Sequence, residues 1–286
     1  MIMELQYARP ADDVCDIVAV YYLGYIPPGD RKVVEGAAVA QMRLLLEGEC
    51  DAAAATGDTY HITDSVIWGP TRGQTEYRTQ TGIRFVGAGL LPCGWQALIG
   101  APASDYVDRV CSFPASYEKK LAELVEQLRR ASRFEDMVPL LDETTRMLSR
   151  FVDPQIRAFV AKVDQWLMSH TNPAVTTLYE SIDLSPRQIE RLVKHLYGST
   201  PKYLARKYRA LKAATMLASD LADNGNVAAS TFYDQSHLIR EVKKFTGQTP
   251  GEIMLHGNEL ADILKQRADV VGVTHPLSAI EHIVIS

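Results

Sequence analysis

Ser185–Lys202 reads SPRQIERLVKHLYGSTPK, and Asp234–Gly251 reads DQSHLIREVKKFTGQTPG. The two stretches align without a gap at a period of 49 residues. Arg191 matches Arg240, Val193 matches Val242 and Lys194 matches Lys243. Gly198 matches Gly247, Thr200 matches Thr249 and Pro201 matches Pro250. Each copy carries the chemistry of a helix, a stop and a new helix start. Ser185 and Asp234 are N-cap residues, whose side-chain oxygens accept orphan backbone N–H groups. Ser185 with Gln188 makes a capping box, and Pro186 occupies the tolerated first helical position. Gly198 and Gly247 suit the left-handed position that ends a helix. Thr200-Pro201 and Thr249-Pro250 then open the next helix, the second with Glu252 as its capping partner.

Within each copy the apolar residues fall on one helical stripe. Ile189, Leu192, Val193 and Leu196 form it in the first copy, and Leu238, Val242 and Phe245 in the second. The outward positions are polar and mostly basic: Arg187, Gln188, Glu190, Arg191, Lys194 and His195, then Gln235, Ser236, His237, Arg240, Lys243 and Lys244. Ile239 is the apolar exception. A short helix is expected before each copy, over 175–182 and 226–230. Two helices joined by a tight turn, the second with a basic outer face, predict a helix-turn-helix. The chain predicts two of them, joined by a helix over 201–219. At 1.5 Å per residue that helix spans roughly 28 Å, against about 34 Å for one turn of DNA.

Working outward, residues 185–212 hold eight cations and one acid, a local charge of +7 inside a chain of net charge −5. Residues 1–172 carry −6 and residues 173–286 carry +1. Such cation density serves phosphate contacts, and Arg or Gln near a recognition-helix N-terminus can make bidentate contacts to base edges.

Upstream of residue 113 the period is that of strands. Strands are expected over 15–25, 38–46, 60–68 and 82–91, separated by turns such as Pro27-Pro28-Gly29-Asp30 and Gly69-Pro70. No long helices alternate with them, so an antiparallel barrel or sandwich is favoured over a parallel sheet. Helices are expected near Leu121–Leu128, over 134–151 and over 154–170, each with an apolar stripe. Leu121, Leu124, Val125 and Leu128 suit either an intradomain core or a dimer seam. The fold class is therefore α+β: residues 1–113 a barrel or cupin-like sensor domain, 114–171 a helical connector or dimerisation region, 172–256 an all-α double helix-turn-helix, and 257–286 a tail. Tyr60, Trp68, Tyr77, Phe85 and Trp95 are candidates for lining an effector pocket, with aromatic core as the alternative.

Enzyme readings lack a constellation. His61, Cys93 and Cys111 have no base or orienting partner in a recognisable motif, and Gly87-Ala88-Gly89 is no dinucleotide fingerprint. Cys15, Cys50, Cys93 and Cys111 are dispersed, so neither a zinc site nor a disulfide scaffold is expected. A DNA-repair enzyme with a similar helix-turn-helix would need clustered cysteines. A ligand-binding barrel whose helices serve protein partners conflicts with the +7 window. No signal-peptide pattern and no membrane-length apolar run is read, so a cytoplasmic protein without cofactor or metal is expected.

Four motifs resemble the AraC/XylS family of bacterial transcription regulators: SPRQIERL (185–192), GSTPKY (198–203), FYDQSHLIR (232–240) and FTGQTPG (245–251). The resemblance covers residues 172–255. More weakly, LLPCGWQALIGAPAS (90–104) is similar to the end of the β-rich N-terminal domain of some members. It implies double-stranded DNA as partner, with a small-molecule effector, a homodimer and, for an activator, RNA polymerase as further candidates. It implies base reading by Arg187, Glu190 and Arg191 in the first unit and by Gln235, Ser236, His237 and Arg240 in the second. Gln188, Lys194, Lys202, Lys243 and Lys244 fall to phosphates. Three positions depart from the pattern: Asp183 and Thr231 stand where the family has Gly, and Tyr179 where it has a small residue. Asp tolerates the left-handed region and Thr does not, so the second unit is expected to be bent or loosened.

Overall fold

The structure is a computed structural model and describes residues 3–222, 235–255 and 284–285. Two antiparallel sheets build the N-terminal half. The first has the order β1(Glu4–Ala8), β2(Val18–Ile26), β9(Ile83–Leu90), β4(Ala40–Gly48), β7(Val66–Trp68), β10(Val110–Cys111). The second has the order β11(Val284–Ile285), β3(Arg31–Glu35), β8(Thr75–Thr79), β5(Cys50–Ala53), β6(Thr59–Ile62).

β2, β4 and β9 are buried on both faces, which explains why they read as nearly continuous apolar runs. Successive side chains alternate across the sheet. Tyr22, Phe85 and Ile83 face the space between the sheets. Val18, Tyr21, Leu44, Val86 and Ala88 face the other way, onto helices. That outer core runs without a break from the sheet through the helices to Ile189, Val193 and Phe245.

The helices follow in order: α1(Pro92–Leu98), α2(Glu118–Arg130), α3(Phe134–Leu148), α4(Pro154–Ser169), α5(Val175–Ser181), α6(Pro186–Tyr197), α7(Pro201–Ala222), α8(Gln235–Thr246) and α9(Pro250–Leu255). α4 starts where Asp153 accepts from the Gln155 N–H and Pro154 supplies a preset φ. Leu121, Leu124, Val125 and Leu128 on α2 are all buried within the chain, and Arg129 Nε donates to Leu46 O of β4 at 2.8 Å. The expected apolar stripe is thus intradomain core, not a seam left open on the surface. α3 is fastened to β2 by a buried hydrogen bond between Tyr21 Oη and Thr145 Oγ1 (3.1 Å) and to the turn before β2 by the two-point Arg146–Asp13 pair at 2.6 and 2.8 Å. Arg146 holds the Asp13 carboxyl below the usual carboxylate range.

The helix ends agree with the sequence to within a few residues. Among the strands the outcome is mixed. β1, β3, β5, β8, β10 and β11 lie outside the expected strand ranges, β11 within the expected tail, and the range 60–68 divides into β6 and β7 at Thr63–Ser65. The helix expected over 226–230, the Thr231 position and the Asp234 cap lie outside the described residues. Among the described residues no helix is long and apolar enough to cross a membrane.

Candidate nucleic-acid interface

α5 and α6 make the first unit. Ser185 Oγ accepts from the Gln188 N–H, and Gln188 Oε1 accepts from the Ser185 N–H at 3.0 Å, so the capping box forms in full. Gly198 ends α6 at φ 76° and Gly247 ends α8 at φ 81°, the left-handed conformation in which an added Cβ is strained. Thr249 and Glu252 cap α9, with Glu252 Oε2 accepting from the Thr249 N–H at 2.7 Å. Asp183 does not adopt the left-handed conformation. Among the described residues the one non-glycine with positive φ is Asp108. The turn between α5 and α6 closes instead through Leu184 N–H to Ile182 O at 2.8 Å.

Ile189, Val193 and Leu196 are buried, while Arg187, Gln188, Glu190, Arg191 and Lys194 are exposed on the opposite side. At i, i+4 and i+7, Arg187, Arg191 and Lys194 form one stripe along α6. Tyr179, too large for the small-residue position of the family pattern, projects from α5 and donates to Glu190 Oε1 at 2.8 Å. Burial and that carboxylate push its hydroxyl up to about 12. Glu190, expected either to accept from a base or to pair with Arg187 or Lys194, is therefore drawn toward α5. Gln188 spends its carbonyl oxygen on the cap, which leaves its amide N–H groups as donors for a phosphate. On α8, Ser236, Ile239, Arg240, Lys243 and Lys244 are exposed. Arg240 Nε donates to Ser236 O at 3.1 Å, and Lys244 Nζ stands 5.2 Å from the Tyr203 ring centre. The side chains of Gln235 and His237 lie outside the described residues.

The cationic window is less uniform in space than in sequence. Arg206 pairs with the buried Glu241 of α8 at 2.9 and 2.7 Å, tying α7 to α8. Lys207 is buried. Lys212 Nζ donates to Leu167 O and His170 O, at 2.7 and 3.0 Å, and so caps the end of α4. Burial lowers its pKa. Four of the eight cations, Arg187, Arg191, Lys194 and Lys202, are exposed. α7 has 22 residues, or about 33 Å at 1.5 Å per residue, close to one DNA turn of about 34 Å.

Residues 178–255 match the model of a family described as a helix-turn-helix domain. That segment is an AraC-type helix-turn-helix domain. An AraC-type domain is a DNA-binding unit of transcription regulators, and this chain is one of that broad class. No curated protein matches it in sequence. Similar solved structures include ToxT from Vibrio cholerae O395 bound to (E)-4-(8-methylnaphthalen-1-yl)but-3-enoic acid, at 9% identity, 90% of this chain, 100% of that chain and a TM-score of 0.48. Wild-type ToxT from V. cholerae strain SCE256 with an unsaturated fatty acid has 10% identity, 88% and 95% coverage and a TM-score of 0.46. A cupin domain of an XRE-family regulator from Enterobacter cloacae has 15% identity, 31% and 95% coverage and a TM-score of 0.26.

A cavity of about 40 Å³ lies between the two sheets, lined mainly by apolar side chains. That is several times the space one water needs. Arg43 and Glu35 line it together with Leu45, Tyr77, Ile83 and Phe85. Of the five aromatic candidates for an effector pocket, Phe85 and Tyr77 border this cavity and the other three do not. Tyr60 and Trp68 stack edge to face at 5.6 Å. Trp95 is buried in the outer core, its Nε1 donating to Ala101 O at 2.7 Å. Arg43 and Glu35 are polar lining residues that sequence reading missed. Their signal was weak: Arg43 is a lone cation within an apolar strand, AQMRLLLEG.

Proposed function

We propose that this chain is a sequence-specific transcriptional regulator whose α6 and α8 enter successive major grooves on one face of a duplex. The observation that carries the reading is the stripe of Arg187, Arg191 and Lys194, held outward on a capped helix whose other face is fully buried. In α6, Arg187 and Arg191 read base edges, and Lys194 and Lys202 take phosphates. In α8, Gln235, Ser236, His237 and Arg240 read bases and Lys243 takes a phosphate. A small-molecule effector would occupy the cavity between the sheets, beside Arg43 and Phe85. Ligand-dependent elevation of the melting temperature tests that part.

The DNA part is tested by capturing genomic fragments with the purified chain and measuring affinity for the recovered site. Arg191→Ala is expected to weaken specific binding by about 1–3 kcal/mol and to relax preference at one base position. Lys194→Ala is expected to lower affinity for all sequences alike and to reduce the salt slope by about one. Equal losses on cognate and unrelated DNA for Arg191→Ala would remove it from the base-reading set.

A further inference from the structure

The loop between β7 and β8, residues 69–74, touches both helix-turn-helix units at equivalent points of the internal repeat. In the first unit the contact is the turn after α6. A Cβ on Gly198 would stand 3.3 Å from Pro70 Cγ and 2.7 Å from Val107 Cγ2, so the turn is seated closely. Arg72 donates from its guanidinium to Gly198 O at 3.2 Å and from Nε to Ser199 Oγ at 3.3 Å. Tyr203, in the first turn of α7, donates back to Arg72 O at 2.7 Å. The Arg72 guanidinium also stands 5.7 Å from the Tyr203 ring centre.

In the second unit the contact is the turn after α8. A Cβ on Gly247 would meet Gln74 Oε1 at 2.1 Å and Val34 Cγ1 at 2.8 Å. The Ala37 N–H donates to Phe245 O at 2.6 Å. Residues 36–39 and the loop are themselves joined, by Ala38 N–H to Thr71 Oγ1 at 2.8 Å and Thr71 N–H to Ala38 O at 3.1 Å. Tyr203 is shared: its ring meets Phe245 edge to face at 5.5 Å and Lys244 Nζ at 5.2 Å. Asp108 completes the seat by accepting from the Arg72 N–H at 2.7 Å.

We propose that the 69–74 loop is a two-point brace that fixes the spacing and relative angle of α6 and α8, with Arg72 as its positioning residue. This rests on the reading of those helices as DNA-reading elements. The physical reason is economy of constraint. Between the two units the described chain otherwise offers α7, the Arg206–Glu241 pair and the core that Val242 and Phe245 share with Leu204 and Tyr208 of α7, all of which tie α8 to α7 and none of which touches the turn after α6. A third body touching both turns adds a constraint between α6 and α8 that does not pass along α7. Arg72 touches no base in this arrangement, so it acts on half-site geometry and not on base identity. The brace is carried on the same barrel that holds the cavity: Val34 and Glu35 are neighbours on β3, the first against Gly247 and the second in the cavity lining.

The test uses the full chain and duplexes carrying the captured site with one base pair added or removed between its halves. Each such change rotates one half against the other by about 36°. Wild type is expected to lose about tenfold or more in affinity on the altered duplexes, and Arg72→Ala to lose about threefold or less. Arg78→Ala, on β8 but in an exposed pair with Glu76, should behave as wild type. Amide hydrogen exchange without DNA is the second readout. In Arg72→Ala both turns, residues 198–203 and 244–247, should exchange faster while β2 and β9 stay protected. Tyr203→Phe, which removes only the hydroxyl donated to Arg72 O, should shift both readouts the same way and keeps the test open should Arg72→Ala fail to fold. Faster exchange at the first turn alone overturns the brace, as does undiminished spacing preference in both variants. If wild type shows no preferred duplex, the DNA reading fails, and the exchange pattern still decides whether the loop couples the two turns.

Discussion

Leu128→Ala is expected to destabilise the folded chain by about 2–5 kcal/mol, with no change in its mass in solution. The side chain is 0% exposed. It sits on the face of α2 that covers β4, beside Leu121, Leu124 and Val125. In sequence the four residues suit a seam between two copies as well as a core within one, because an apolar stripe states only that something covers it. The structure covers it within one chain. Truncation then removes buried methyl groups and leaves a cavity in a close-packed region, and both costs fall on the monomer. Urea unfolding with parallel light scattering measures the two quantities. A fall in mass together with a stability loss below about 0.5 kcal/mol, the range for surface substitutions, would return the stripe to the seam reading.

What was legible depended on how local the cause is. The caps at Ser185 and Thr249, the left-handed stops at Gly198 and Gly247 and the stripe of Arg187, Arg191 and Lys194 each follow from residues within one or two helical turns. They could be read from spacing alone. β3 and β8, RKVVE and TEYRT, were not, because a strand with one wetted face and five residues offers too little apolar signal to stand apart from a polar loop. The cationic window misled for a related reason. Arg206 and Lys212 look like their exposed neighbours in sequence. Their partners, Glu241 and the carbonyls of Leu167 and His170, are tens of residues away. The same distance hides Arg72, which reads as an ordinary turn cation until residues 126 and 127 positions later meet it. Tyr179 was visible as an anomaly, but its resolution required knowing that Glu190 lies within reach.

Glu35→Gln is expected to cost about 3–5 kcal/mol, more than Arg191→Ala costs in binding. Glu35 Oε2 and the Arg43 guanidinium meet at 2.5 Å with side chains 6% and 11% exposed. Arg43 also donates to Tyr22 Oη at 3.1 Å and lies 4.9 Å from the Tyr77 ring centre and 5.5 Å from that of Phe85. Burial, the largest single influence, works to lower the Arg43 pKa, and Glu35 together with Tyr22 and Tyr77 more than offsets it, so the net shift is upward. A folded-state pKa above the unfolded value means the contribution is fully present below the ordinary arginine range and persists across neutral pH. Removing the carboxylate leaves a guanidinium desolvated without that compensation. Removing both charges avoids this: Glu35→Leu with Arg43→Met is expected to be more stable than Glu35→Gln alone, since well-packed apolar pairs commonly replace buried ion pairs at little cost. Thermal and urea unfolding of the three chains gives the comparison. If the double replacement is the least stable, the ion pair itself, and not the uncompensated charge, holds the cavity wall. An effector in the cavity would then have to keep that pair intact to be tolerated, whereas in the opposite case a ligand's own polar group could take one partner's place.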